Sequence, residues 1–483
     1  MTALALKPFQ LCCFAVVCAA AVAGAWADER IKLPAPSWAS IAADNSQAPS
    51  LESVVDELND RVTAVEKENR RLRSVVHGGW QHWTSEILQN DDDEYEMEFQ
   101  GRIHVDVWSY PDSSPGVSAF ESGNSMISPQ DRLELRRARF AAEGELPYDT
   151  LYKLDFEFSE ASQPQFRDLY VGWDNIPFFG RLLYGNQKRP YGLDHLNSSN
   201  FNVFMERPFI VQAFNRNNRR FGVMAYGVSE DESWNWRYGV VNLREVQSDG
   251  LYTSDHWQLE GVGRLAHTIV NYCEESNYMH VAVAPSYAVP DGDPGLGRAK
   301  NEAHFQTEPE ARTERQWLNT GIIRGANKYS VLGLESVINL GRCQLVGEYM
   351  NLWLDRDPAF GDDVHFHGGY LYLSYFLTDH YQPWNRKLGI IDRVAPLTPG
   401  DTCAWEGCGA WQIAVRWSFA DLSDRGVQGG VGESIAFGLN WYWTPRSRLQ
   451  LNCAYGDITE HFPIDGQTFG SYVTLGTRVQ VDF

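Results

Sequence analysis

Tyr152-Lys153-Leu154-Asp155-Phe156-Glu157-Phe158-Ser159 alternates an apolar side chain with a polar or charged one at every step. Successive side chains of a strand point to opposite faces, so this period of two makes a ribbon with one greasy and one wet side. Lipid outside and water inside would sort the faces this way. A soluble sandwich, with its apolar face turned into a core, gives the same alternation. The choice between them rests on the rest of the chain.

The pattern recurs on both sides of that segment. Met97, Phe99, Ile103, Val105 and Val107 share one face, with Glu98, Gln100, Arg102, His104 and Asp106 on the other. Ala138, Phe140 and Ala142 lie opposite Arg137, Arg139 and Glu143. Further strands are expected at 166–173, 181–187, 220–226, 234–241, 257–266, 279–287, 315–323, 330–340, 343–353, 370–377, 411–419, 435–443, 449–455 and 473–483. That gives sixteen to seventeen strands, and bacterial barrels have an even number. The expectation is an all-β fold: a 16-stranded antiparallel transmembrane β-barrel over residues 95–483.

Three features favour the membrane. Aromatic residues gather at strand ends, as in Trp108/Tyr110, Tyr349/Trp353 and Trp441/Tyr442/Trp443, which suits girdles at the two interfaces. The chain closes on Val473, Leu475, Val479, Val481 and Phe483, alternating with polar residues and ending in an aromatic. Long polar stretches, 291–314 and 378–406, are expected as extracellular loops, since such lengths are unusual in compact soluble domains.

The N-terminus reads as an export signal. Lys7 precedes an apolar core, Phe9 to Ala23, and Ala25-Trp26-Ala27 is a small-x-small cleavage site, placing the mature start at Asp28. Residues 28–50 read as a linker. In residues 51–76, Leu51, Leu58, Val65 and Leu72 recur every seven positions, with Val55, Val62, Asn69 and Val76 as a second row. This is the seam of a short coiled-coil helix, and Val at a with Leu at d leans towards a dimer. A single amphipathic helix is the alternative.

Composition excludes several classes. Formal net charge is −22, and loss of the signal with its one charge, Lys7, makes it −23. Such a chain is not a nucleic-acid binder, although the sum says little about a pore, where only lumen charges act. No Ser/His/Asp or metal-ligand constellation stands out, so no enzyme activity and no cofactor is expected. Cys403 and Cys408 flank Ala-Trp-Glu-Gly and are spaced to close a small disulfide ring; two free thiols are the other reading.

Local motifs then resemble the family of phosphate-selective porins O and P. They are Arg136-Arg137-Ala138-Arg139, Lys153-Leu154-Asp155-Phe156, Tyr184-Gly185-Asn186-Gln187-Lys188-Arg189-Pro190-Tyr191-Gly192-Leu193, Phe204-Met205-Glu206-Arg207 and Arg219-Arg220-Phe221-Gly222. Two late strands, Ala414-Val415-Arg416-Trp417-Ser418 and Gly438-Leu439-Asn440-Trp441-Tyr442, continue the likeness, which spans residues 95–483. The resemblance implies a homotrimer of barrels in the outer membrane. It also implies an inner loop that narrows each pore, and basic side chains that draw inorganic anions through it, phosphate in the members that give the family its name.

The residues agree in part. Arg102, Arg137, Arg139, Lys153, Arg237, Arg264, Arg416 and Arg478 fall on the polar faces of their strands. Lys188, Arg189, Arg207, Arg216, Arg219 and Arg220 crowd one stretch against only Asp194 and Glu206, and form the candidate anion-binding constriction. Arg suits phosphate because its fork matches two oxygens. The family's lysine cluster is not matched beyond Lys188, because the chain has 8 Lys to 33 Arg. Glu98, Asp106, Glu143, Asp155, Glu157 and Asp168 share the inward faces, so some of the arginines are expected only to brace the wall. The expected function is passive anion diffusion. A weakly selective porin for small polar solutes, a structural tether acting through the coiled coil, an outer-membrane hydrolase and a secreted carbohydrate-binding protein are the alternatives.

Overall fold

The computed structural model describes residues 96–159, 164–246, 257–271, 274–290, 301–396 and 409–483. The expected signal, linker and coiled coil, and the Cys403/Cys408 pair, lie outside the described residues. Cys343 and Cys453 are free thiols.

Sixteen antiparallel strands close into one barrel. The first eight are β1 (Glu96–Ser113), β2 (Arg132–Leu146), β3 (Thr150–Glu157), β4 (Gln165–Ile176), β5 (Gly180–Lys188), β6 (Arg219–Val228), β7 (Trp234–Asn242) and β8 (Leu259–Asn271). The second eight are β9 (Glu274–Val289), β10 (Ala326–Leu340), β11 (Cys343–Arg356), β12 (Val364–Phe376), β13 (Ala410–Asp424), β14 (Val427–Thr444), β15 (Ser447–His461) and β16 (Gly470–Asp482). Each strand pairs with the next, and β16 returns to β1, with Val105 opposite Val479. Closure leaves no unpaired edge, which a bilayer requires.

Alternation sorts the faces as a membrane barrel demands. Ile103, Val105 and Val107 are exposed on the outside, whereas His104 and Asp106 between them are buried inside. Outer-face aromatics sit near the ends: Trp411 stacks on Trp441 at 4.8 Å, and Trp353 on His365 at 5.4 Å. Trp108, Tyr110 and Tyr442 correct the girdle expectation, because the first two share the inward parity of Asp106, Tyr442 donates to buried Gln412, and all three are buried in the lumen.

The segment 315–323 is no barrel strand. Its neighbours Trp317 and Leu318 are both fully buried and Gly321 takes a φ of +63°, so a two-sided ribbon cannot form. It lies instead in the β9–β10 connection, where Leu318–Asn319 pairs with Gln306–Thr307 and Ile323–Arg324 with Glu302–Ala303. Removing it from seventeen candidates leaves the sixteen observed.

The barrel has a turn end, with connections 147–149, 177–179, 229–233, 341–342 and 445–446, and a loop end that carries most of the longer ones. Connection 377–409 lies at the turn end, not among the loops where its length had suggested it belonged. Strand direction decides this: β12 descends from the loop end and β13 rises back to it.

Candidate functional site

Inward parity places one row of side chains per strand in the lumen. A β-bulge enriches that row on β2. His104 pairs with Arg137 and Val105 with Leu135, leaving Arg136 without a partner residue. The extra residue lets consecutive side chains reach inwards: Arg136 contacts Glu206, and Arg137 approaches His104.

Helix α1 (Pro115–Ser122) lies in the β1–β2 connection, and residues 189–218, between β5 and β6, fold into the lumen as an inner loop holding α2 (Leu193–Leu196) and α3 (Phe209–Phe214). The sequence supplies both reasons to enter. Val203, Phe204, Met205, Phe209, Ile210, Val211 and Phe214 are apolar and join one buried cluster with Met350, Phe366, Tyr370 and Tyr372 of the far wall. The loop's polar backbone finds partners there too. Glu348 accepts from the N–H groups of Leu193 (2.7 Å) and Asp194 (3.0 Å), and Asn452 Oδ1 from Met205 (2.7 Å). The β9–β10 connection packs above it, with Phe305, Trp317 and Leu318 in the same cluster. Glu310 ties the two together, accepting from Phe209 N–H at 3.2 Å and from Arg416 at 2.9 Å.

The filling is one-sided. Glu260, Arg264, His280, Glu335, Glu348, Arg416, Asn440, Arg448 and Arg478, all inward on β8–β16, are buried. Partial solvent access remains at Arg102, Arg136, Arg139, Glu143, Lys153, Arg167 and Asp168 on β1–β4. The solvent-accessible side of the lumen is therefore a lane along the first strands, facing the inner loop, although Arg137, Asp155 and Glu157 on the same strands are buried.

Pairing decides which lumen cations act outwards. Arg189 binds Glu260 (3.0 Å), Arg264 binds Glu335 (2.8 Å) and Arg416 binds Glu310, all buried. Arg478 bridges Asp106 (2.6 Å) and Glu206 (2.9 Å). Burial alone would raise the Glu206 carboxyl, but Arg136 and Arg478 hold it well below the usual carboxylate range. Asp194 is pushed up by burial, with Arg207 3.9 Å away opposing the shift. These pairs neutralise one another and brace the wall.

Other cations have no carboxylate within 4.0 Å among the described residues. Arg102 donates to the hydroxyls of Ser199 (3.1 Å) and Ser198 (3.4 Å). Lys188 Nζ donates to the carbonyls of Leu196 (2.8 Å) and Asn197 (3.1 Å), where the end of α2 leaves acceptors free. Arg448 reaches Ser199 O at 3.3 Å. Three basic side chains without a carboxylate within 4.0 Å thus converge on residues 196–199. Arg167 Nε has no hydrogen-bond partner among the described residues.

The remaining sequence candidates separate. Arg139 and Lys153 reach the lane but pair with Glu157 and Glu143. Arg137 is buried against His104. Arg207 is half-buried and donates to Asp194 O at 3.2 Å. Arg219 turns to Asp168 in the lane, Arg220 turns the other way to Leu243 O (2.7 Å), and Arg216 is half-buried. Arg167, Ser198, Ser199 and Glu310 were not singled out in the sequence. Arg167-Asp168, two charged residues side by side within an alternating strand, was the one available signal, since it marks the bulge opposite Asp155.

A family model for phosphate-selective porins O and P matches residues 99–465. An uncharacterized protein of Caulobacter vibrioides is 26% identical over 393 residues, covering 80% of this chain and 73% of that protein. Among solved structures, a loop L8 deletion mutant of OmpT from Vibrio cholerae superposes with a TM-score of 0.48 at 11% identity, over 81% of this chain and 100% of that one. The anion-selective porin of Comamonas acidovorans gives a TM-score of 0.48 at 13% identity, with the same coverage. With a closed barrel, a loop-narrowed lumen and a family match over most of its length, the chain belongs to the phosphate-selective porin O and P family and is an outer-membrane channel.

Proposed function

We propose that the channel passes small inorganic anions passively, drawn through the lane by cations without carboxylate partners. The pairing state of the lumen carries this reading. Arg102, Arg167 and Lys188 have no carboxylate within 4.0 Å among the described residues, while Glu157, Glu143, Asp168 and Asp482 nearby are held by Arg139, Lys153, Arg219 and Arg393. In a narrow low-dielectric wall such charges concentrate anions and replace part of their hydration. Phosphate is the narrower form of the proposal, supported by the match between an arginine fork and two of its oxygens. A reversal-potential measurement across a salt gradient tests the reading. Wild type should favour anions, and Arg102→Gln, Arg167→Gln and Lys188→Gln combined should move the potential towards cations. An unchanged potential would sink it. Block of chloride current by added phosphate tests the narrower form.

A weakly selective porin for small polar solutes is the second reading, favoured by Asp155, Glu157 and Asp168 beside the same cations. The proposal also includes export by residues 1–27, a linker at 28–50, a coiled coil at 51–76, and a homotrimer of barrels on the family's pattern. Amino-terminal sequencing and cross-linking of the full chain and of a 51–76 deletion test those parts.

A further inference from the structure

The geometry points to a hairpin at the periplasmic turn end, residues 384–391, as the floor of the constriction, holding the inner loop in the place that sets pore size and charge. The other turn-end connections have no such length; connection 377–409 alone among those described carries a hairpin, Trp384–Asn385 paired with Ile390–Ile391. It crosses the opening. Trp384 donates to Thr268 on β8 at 3.2 Å and packs on His280 with ring centroids 4.6 Å apart. A few residues on, Arg393 binds Asp482 on β16 and Pro445 O. Strands β8 and β16 are half a circuit apart in a sixteen-stranded barrel, so the connection spans the mouth from wall to wall.

Its tip is fixed to the wall through backbone carbonyls. Arg237 donates to Leu388 O at 2.6 Å and Arg264 to Gly389 O at 3.0 Å. Gly389 has φ +59°, and a Cβ there would meet Asn235 Nδ2 at 2.7 Å, so the tip conformation is specific to glycine. From this base the hairpin reaches up to the inner loop twice. Ile391, almost fully buried, donates its N–H to Asn197 Oδ1 at 3.1 Å. Arg393 stacks over the Phe201 ring at 5.2 Å.

Asn197 lies within residues 196–199, the stretch on which Arg102 and Lys188 converge, and Phe201 follows two residues after it. The chain of contacts therefore runs from wall to hairpin, from hairpin to Asn197, and from Asn197 to the unneutralised cations. Without the floor, residues 196–201 lose their lower support. The constriction then widens and its cations no longer stand close to the ion. Asn197 and Ile391 are positioning residues for the selectivity that the anion reading assigns to Arg102 and Lys188, and the inference rests on that reading in this one respect.

Planar-bilayer recording of the full chain tests it. One variant replaces 384–391 by an eight-residue Gly-Ser segment, a second is Asn197→Ala, and a third, Lys387→Ala, removes only a solvent-exposed ion pair of the tip, to Glu232 at 3.5 Å, of a kind that contributes little. Wild-type heat-modifiable migration on gels certifies each barrel as folded. The replacement should raise single-channel conductance by about twofold and move the reversal potential towards zero, Asn197→Ala should do so to a smaller degree, and Lys387→Ala should do neither. If the replacement cannot insert, Asn197→Ala and Trp384→Ala decide. Folded variants with wild-type conductance and potential would overturn the inference, and so would a rise in conductance at a fixed anion preference, because the floor would then hold no charge in place. If wild type itself shows no anion preference, the anion reading fails, and conductance alone still decides whether the hairpin is a floor.

Discussion

Arg219 grips both oxygens of Asp168, at 2.8 and 2.7 Å, while its neighbour Arg220 turns away to the carbonyl of Leu243. Two adjacent cations, both expected to work on the anion, are separated by parity at the start of β6. Replacing Arg219 by Gln leaves Asp168 uncompensated in the lane, and the reversal potential should shift towards cations. Asp168→Asn frees Arg219 and should shift it the other way. Arg220→Gln should leave the potential unchanged, because its guanidinium serves the carbonyls of Leu243, Asn217 and Arg219 and pairs with Glu245 at 3.8 Å, all away from the lane. Opposite shifts from Arg219 and Asp168, measured in the same salt gradient, check the assignment.

The Arg478 bridge to Asp106 and Glu206 fastens β16, β1 and the inner loop together with no exposure to water. Removing one partner of a buried pair costs about 3–5 kcal/mol, because the other charge is left alone. Arg478→Met leaves Asp106 without a cation among the described residues and Glu206 with Arg136 alone. Its barrel should lose heat-modifiable migration at a lower temperature than wild type. Asp106→Asn, which keeps size and shape, should lie between the two.

Outward positions respond to a different solvent. Val105 and Val107 face lipid, and Arg or Lys near the midplane of a barrel's outer face costs about 2–4 kcal/mol. Val105→Arg should therefore lower the yield of inserted barrel, whereas Val105→Leu should not. His104, one residue away, points inwards, and His104→Leu should be read in pore behaviour rather than in insertion. Quantifying the folded and unfolded bands in outer-membrane fractions distinguishes these outcomes.

The barrel was legible because lipid and water force a strict period of two, and Tyr152 to Ser159 shows it without interruption. Strand number was legible once Arg315 to Ile323 was removed, and the flaw there was local: Trp317 and Leu318 follow one another in the chain and both end buried. Alternation records which face a side chain takes, not what it meets there. Arg102 and Arg478 have the same parity on neighbouring strands. One ends beside serine hydroxyls and the other is locked between two carboxylates, because the inner loop brings Ser198 and Ser199 to one and Glu206 to the other. Those pairings join residues far apart in sequence, which no spacing rule reaches. The side on which connection 377–409 lies was hidden for a related reason. Loop length suggests the outside, and only counting strand directions corrects it.

Glu310 is where the second inward connection is pinned. Its carboxylate accepts from Arg416 at 2.9 Å, from Ser434 at 2.9 Å, from the Ser418 hydroxyl and from the N–H of Phe209 at 3.2 Å. One carboxylate thus satisfies two walls and the start of α3. Glu310→Ala leaves Arg416 buried without a counter-charge and Phe209 N–H without an acceptor, each a cost that water entering the site would relieve. Water can enter only if the β9–β10 connection lifts from α3. The filled half of the lumen should then open. Liposomes carrying the variant should admit uncharged sugars faster than wild type, and single-channel current should become noisier. Glu310→Gln keeps part of the acceptor set and should show a weaker form of both effects. Equal sugar entry for Glu310→Ala and wild type, at equal amounts of folded barrel, would mean that the apolar cluster of Phe305, Trp317 and Leu318 holds the connection without its carboxylate.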